Sequence, residues 1–317
     1  MSSESRTSCL TDITTSEGDL NRLSVMCQTI ARIKVHNLQR LFEIIEKEIG
    51  LTNYKVVGRH LHILVSIGLI EKTLGTYFIT SRGKALVKLR SQDPCVLSRA
   101  EKVIFFKSFF ISIFEQLYWV IYTIGKNEGA TFEKNALDYF YSSAAKNIWL
   151  ETLQHAAKKG SSDKPLTRGM INKFGTMLYW LSQLDIVRKG SRLWLTGKGT
   201  RLLDDFSKND NIKRLSSTVY YLTTQLYAEN YRRHFNLSDD RNQLIGVLRE
   251  GSQLFRGEQD LSDVVAIQEF VSAVFASGGI VLEENDFYVT IRELGLNGTV
   301  RSIILGRDGR PAFLVMG

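Results

Sequence analysis

The segment RHLHILVSIGLIEKTLGTYFITSRGKALV, around residue 70, recurs in altered form twice more in this chain. Around 186 it reads TMLYWLSQLDIVRKGSRLWLTGKGTRLL, and around 280 it reads EFVSAVFASGGIVLEENDFYVTIRELGL. Placing Leu69, Ile186 and Ile280 on one another aligns Leu64 with Leu181 and Phe275, and Ile70 with Val187 and Val281. Such a repeat constrains the fold more than composition does, because each copy must be one supersecondary unit. Apolar residues at helical spacing, such as Leu61, Leu64 and Ile67, predict a helix first. It ends at Gly68, Asp185 or Gly279, where Gly takes a left-handed cap cheaply and Asp tolerates a turn. A short strand such as Leu69–Ile70 follows, then a polar turn holding Gly75, Gly190–Ser191 or Asn285–Asp286. The next residues, Tyr77-Phe78-Ile79, Leu193-Trp194-Leu195 and Phe287-Tyr288-Val289, are of the types strands prefer. Each run closes on a Thr (Thr80, Thr196, Thr290), with a cation two residues later (Arg82, Lys198, Arg292). In the first two copies that Thr is placed to cap the next helix.

Helix, hairpin and capping Thr in this order resemble the second half of the winged helix-turn-helix family, wing included. The phrase SIGLIEKTLGTYFITSRGKAL is the strongest match and the second copy is good. The third departs, with Glu293 where the first two copies carry Gly83 and Gly199. The resemblance implies a mainly α fold with small β-hairpins, as three tandem winged-helix-like modules joined by helices. The expected divisions are a flexible leader over 1–19, modules over 20–93 and 94–206, a connecting helix over 207–236, and a third module with a C-terminal hairpin over 237–317. That last hairpin is expected from Thr299–Leu305 and Pro311–Val315, which flank an Asp308-Gly309 turn.

A family resemblance of this kind implies non-catalytic recognition of double-stranded DNA, as a regulator or a DNA-targeting subunit. The helix before the wing enters the major groove and the wing meets the backbone or minor groove. By position, the first copy offers Asn53, Tyr54, Lys55 and Arg59 on the helix and Lys72, with Thr76, on the wing. The second offers Thr167, Arg168, Asn172 and Lys173, then Arg188, Lys189, Ser191 and Arg192. Arg and Lys suit guanine edges and phosphates, and Asn suits adenine.

Charge refines that expectation. The chain of 317 residues carries a net +8. Between 260 and 298 stand seven acids and one base, a charge of −6; the tail from 299 carries +2, which leaves +12 on residues 1–259. At the start of the third copy's helix stand Ser262, Asp263, Gln268 and Glu269, with Glu283, Glu284 and Asp286 after it. Phosphate would be repelled there, so this copy is expected to pack on a neighbour, a second chain or another protein. In the connecting helix, Ile212, Leu215, Val219, Leu222 and Leu226 recur at 3,4,3,4 spacing, which fits either a core stripe or a homodimer seam. The cluster Tyr231, Arg232, Arg233 and His234 can meet phosphate or simply complement a helix C-terminus.

No catalytic constellation is found, and neither a metal site nor a cofactor is expected. Gly197-Lys198-Gly199-Thr200 lacks the phosphate-loop spacing and reads as the turn into the helix after the wing. His60 and His62 fall on different faces of one helix, unsuited to chelation. Three cysteines, Cys9, Cys27 and Cys95, form no CxxC pair, which fits a reducing compartment. The run from Val103 to Gly125 is long enough to span a bilayer but is interrupted by Lys107, Glu115 and Gln116, so a buried helix is expected and no membrane partner. Met1 to Asp19 lacks the pattern of a secretory signal. The expected location is cytoplasmic or nucleoid-associated. Two alternatives stay open: a winged-helix scaffold in a protein assembly, and the DNA-recognition subunit of a restriction or defence nuclease system.

Overall fold

The computed structural model describes residues 19–33, 38–49, 53–91, 93, 96–142, 168–208, 222–224, 226–227, 233–257, 261–306 and 311–316. The protein is mainly helical, with four small sheets of two or three strands among the described residues. It divides into two compact units. One comprises Met1–Asp12, Asn21–Ser108 and Arg214–Gly317, and the other Ile13–Leu20 and Phe109–Lys213.

In the first unit, α1 (Leu20–Arg32), α2 (Leu38–Ile49) and α3 (Tyr54–Ser66) precede the hairpin β1 (Ile70–Thr73) and β2 (Thr76–Ile79), and α4 (Ser81–Lys88) follows it. Helix α3 starts where the Asn53 side chain accepts a hydrogen bond from the Lys55 amide at 3.0 Å. It buries Leu61 and Leu64, with Ile67 just beyond, as the spacing required. The helix stops at Gly68, whose φ of +70° costs glycine little. The hairpin pairs Thr73 with Thr76 around Leu74 and Gly75, both in the left-handed region (φ +50° and +82°). That is the backbone of a two-residue type I′ turn.

The rest of this unit is built from α9 (Leu237–Leu254), β6 (Ser262–Asp263), α10 (Val264–Ser277), α11 (Glu284–Leu296), β8 (Val300–Leu305) and β9 (Pro311–Met316). The strands β5 (Arg233–His234) and β7 (Ile280–Val281) pair in parallel. The hairpin expected around Asn285–Asp286 does not form. Phe287-Tyr288-Val289 lies inside α11, because Phe287, Thr290, Ile291 and Leu294 repeat at helical spacing and all four are buried. The hairpin stands one helix later, as β8 and β9, close to the limits expected for the C-terminal pair. Strand β6 joins it to give the order β6-β9-β8. The Asp308-Gly309 turn lies outside the described residues, as do Ile212, Leu215, Val219, Tyr231, Arg232 and most of the leader. Leu222 and Leu226 are buried.

Helix α10 is the centre of this unit, and nearly every residue from Val264 to Ala276 is buried. Its first turn is held by Asp263, which caps the Ala266 amide at 3.1 Å and accepts from Ser81 and Lys84 of α4, each at 2.9 Å. Deeper in, Glu269 accepts from Lys107 at 2.7 Å and from Arg82 at 3.1 Å. The acidic helix start that phosphate would repel is therefore matched to cations of the first copy and of α5 (Arg99–Lys126). Another buried carboxylate, Glu101, accepts from the Ser24 hydroxyl and the Ser91 and Ser98 amides, each at 2.9 Å.

In the second unit α5 continues from Phe109 and leaves helical geometry at Ile113 (φ −139°, ψ 33°). There follow α6 (Phe132–Tyr141), α7 (Arg168–Gln183), β3 (Val187–Arg188), β4 (Trp194–Leu195) and α8 (Gly197–Lys208). The core is aromatic. Phe109 stacks on Trp180 at 4.7 Å between centroids, and Tyr139 and Phe132 both contact Phe174. Of the described helices, α5 alone is long and apolar enough to cross a membrane; half of that stretch is buried within the protein.

The Glu269 cluster predicts a measurable stability effect. Burial alone would raise this carboxyl's pKa, but the charges and hydrogen bonds of Lys107 and Arg82 outweigh that and hold it below the ordinary 4.5. Its contribution is therefore complete above that value and is lost as pH falls through the lower folded-state value. Glu269→Gln leaves two cations buried without a counter-ion and should cost about 3–5 kcal/mol at pH 7 in urea unfolding. The variant should also lose less stability than the wild type between about pH 5 and 3.

Candidate nucleic-acid interface

The first two copies reproduce one junction atom for atom. In the first, the Thr80 hydroxyl donates to the carbonyls of Gly68 and Leu69 and accepts from the Gly83 amide at 3.1 Å. In the second, the Thr196 hydroxyl donates to Asp185 and Ile186 and accepts from the Gly199 amide at 3.2 Å. Backbone bonds match as well: Leu69 N–H to Leu64 at 3.0 Å, and Ile186 N–H to Leu181 at 2.8 Å. Where the first copy has Gly68, the second has Asp185 at φ +59°, with its carboxylate 3.3 Å from the Lys198 ammonium. The glycine of each junction is sterically required. A Cβ on Gly83 would sit 2.1 Å from the Leu69 carbonyl oxygen, and one on Gly199 would sit 2.2 Å from that of Ile186. Glu293 at the third position is incompatible with this junction, and there the chain is helical.

Each junction fixes the angle between a helix and its hairpin. On α3 the exposed residues Lys55, Arg59, His62 and Ser66 follow 4,3,4 spacing and form one outward stripe. Tyr54 is half exposed, its ring 5.4 Å from that of Phe42. Asn53 is exposed, but its carbonyl oxygen is engaged in the cap, so its amide is less suited to reading a base. His60 points inward, with Nδ1 2.7 Å from the Val56 carbonyl, while His62 points out, as their spacing implied. On the hairpin, Lys72 is exposed with its ammonium 5.4 Å from the centre of the Tyr77 ring. Thr76 is half buried, Leu74 at the tip is fully exposed and Phe78 is 45% exposed.

In the second copy Thr167 lies outside the described residues, and Arg168, Asn172 and Lys173 are exposed in the first turns of α7. Partial burial holds the Lys173 amine below its ordinary pKa. Arg188, Lys189, Ser191 and Arg192 are all exposed on the hairpin, where no carboxylate occurs from 186 to 196. Tyr179 connects the two groups. It shares a helix face with Arg168 and Asn172, and the Lys189 ammonium lies 5.4 Å from its ring centre. The hairpin is backed by a third segment, because Gly129 N–H donates to the Leu193 carbonyl and Leu193 N–H to that of Ala130, both at 3.0 Å.

Other cations are committed to the fold. Arg82 and Lys198 serve the carboxylates already described, and Arg233 pairs bidentately with Asp240. The Asp240 carboxyl is lowered by its hydrogen bonds from Arg233. Glu283, Glu284 and Asp286 begin α11 instead of decorating a wing. Sequence reasoning missed Tyr179 and Trp194, although the internal alignment of Phe78 with Trp194 was an available signal. Among the described residues, no group of three or more His, Cys, Asp or Glu is arranged to hold a metal ion. No known family model and no curated protein matches this chain.

Removing either capping hydroxyl tests the junction. Thr80→Val and Thr196→Val should each cost about 1–2 kcal/mol in chemical unfolding. Gly199→Ala should cost at least about as much, since a backbone oxygen cannot move aside as a side chain can.

Proposed function

We propose that this chain recognises double-stranded DNA through winged helix-turn-helix modules and carries no catalytic centre of its own. The winged-helix reading is supported by the order of three helices, a hairpin and a following helix in the first copy. In the last segment it is supported by the order α9, β6, α10, α11, β8, β9 with sheet order β6-β9-β8. The observation that carries the DNA reading is in the second unit. Arg168, Asn172 and Tyr179 share a helix face, and Lys189 of a hairpin with three exposed cations reaches the same tyrosine. A helix for base edges and a basic hairpin for phosphate then form one surface.

The third segment favours a protein partner. Its outward stripe on α11 is Asn285, Val289, Arg292 and Leu296, with Leu296 88% exposed, where α3 presents Lys55 and Arg59. An assembly or DNA-targeting role, including that of a subunit in a restriction or defence system, is consistent with this division.

The test is binding of a random duplex followed by fluorescence anisotropy, with and without Mg²⁺. The expected result is binding without cleavage. If about 6–10 phosphates are engaged, affinity falls on the order of 10³–10⁵-fold from 50 to 200 mM salt. Arg168→Ala with Lys173→Ala should weaken binding at least about tenfold and reduce the salt slope by up to about 2. A salt-independent affinity, or one unchanged in the double variant, would count against the reading.

A further inference from the structure

We infer that the second hairpin holds an unpaired DNA base against Trp194, so that the surface proposed above favours duplex with a single-stranded arm over blunt duplex. This rests on the DNA-binding reading and goes beyond it.

Trp194 occupies the exposed position of β4, between buried Leu193 and half-buried Leu195, and 42% of it is accessible. One exposed aromatic is ordinary in a folded chain; what distinguishes Trp194 is how it is held. Its six-membered ring lies over the backbone of Gly129, where a Cβ would meet the ring at 2.8 and 2.9 Å. Gly129 is at φ +76°, and the backbone bonds between Gly129–Ala130 and Leu193 fix this support. The indole is thus held by a site that only glycine permits.

Its surroundings suit an anionic strand. Arg188 is its cross-strand partner, Lys189 and Arg192 stand in the same hairpin, and all three are exposed. The first copy supplies an internal comparison. Phe78 takes the aligned position and is exposed to a similar degree, but its cross-strand partner is Glu71 and its hairpin carries one cation, Lys72, against three in the second. An exposed aromatic occurs in both hairpins, and only the second hairpin carries cations with no carboxylate of its own, the nearest acid in its support being Glu128 beside Gly129. Bases in a continuous duplex stack on one another and offer no face, whereas an unpaired base next to a gripped duplex does. Stacking on an aromatic side chain strengthens binding roughly 5- to 150-fold per base, and the adjacent cations neutralise the flanking phosphates.

The experiment compares a blunt duplex with the same duplex bearing non-complementary single-stranded arms, using the full chain and anisotropy at one salt concentration. The wild type should bind the forked DNA at least about fivefold more tightly. Trp194→Ala should abolish that difference, so that forked and blunt DNA are bound alike. Trp194→Phe should keep part of the preference, which separates loss of stacking from loss of fold, and Phe78→Ala should keep all of it. Equal wild-type affinity for the two DNAs, or a fork preference that survives Trp194→Ala, overturns the inference and leaves duplex recognition standing. Failure of the wild type to bind either DNA overturns both.

Discussion

A single carboxylate, Glu269, sits where α4, α5 and α10 meet, and it holds Arg82 and Lys107 in the interior of the first unit. Ion pairs at the surface contribute little, because water and salt screen them. A buried one differs because its members cannot be separated without leaving a charge out of water. Apolar contact brings α10 against its neighbours, and hydrophobic packing alone tolerates sliding. The two-cation grip on one acid, with Asp263 meeting Ser81 and Lys84 nearer the helix start, defines a register. The segment rich in acids is thereby made the structural counterpart of a basic segment in the same chain.

This alters what the net charge means. Divided along the sequence, the +8 looked like a map of which copies meet a polyanion. In the folded chain part of the +12 before residue 260 is matched to the acids after it. Arg82 and Lys107 face Glu269, and Lys84 faces Asp263, so these cations add little to an outward field. The cations that remain exposed on candidate surfaces are fewer and better grouped: Lys55 and Arg59 on α3, Arg168 and Lys173 on α7, and Arg188, Lys189 and Arg192 on the second hairpin.

Where local chemistry decides conformation, the sequence was legible. Gly68, Asp185, Gly75 and the Thr-capped helix starts each predicted a backbone state, and each is found. The third copy was misread because Phe287-Tyr288-Val289 has the composition of a strand. What overrides composition there is period, since Phe287, Thr290, Ile291 and Leu294 are positioned to bury one helical face. For the candidate surface, residue type and approximate place were readable, but competing local uses were not. Asn53 caps its own helix, Lys72 and Lys189 each lie 5.4 Å from a tyrosine ring, and Trp194 is exposed, and each depends on contacts that spacing cannot supply.

The two junction glycines also restrict how this chain can diverge. Surface cations and even core residues can exchange one at a time, but the carbonyls of Leu69 and Ile186 act as gates that admit no side-chain carbon. A duplicated module that lost its glycine would have to re-form its hairpin elsewhere or cease to be the same module. The Thr-x-x-Gly step is therefore the part of each of these two repeats least able to change by single substitutions.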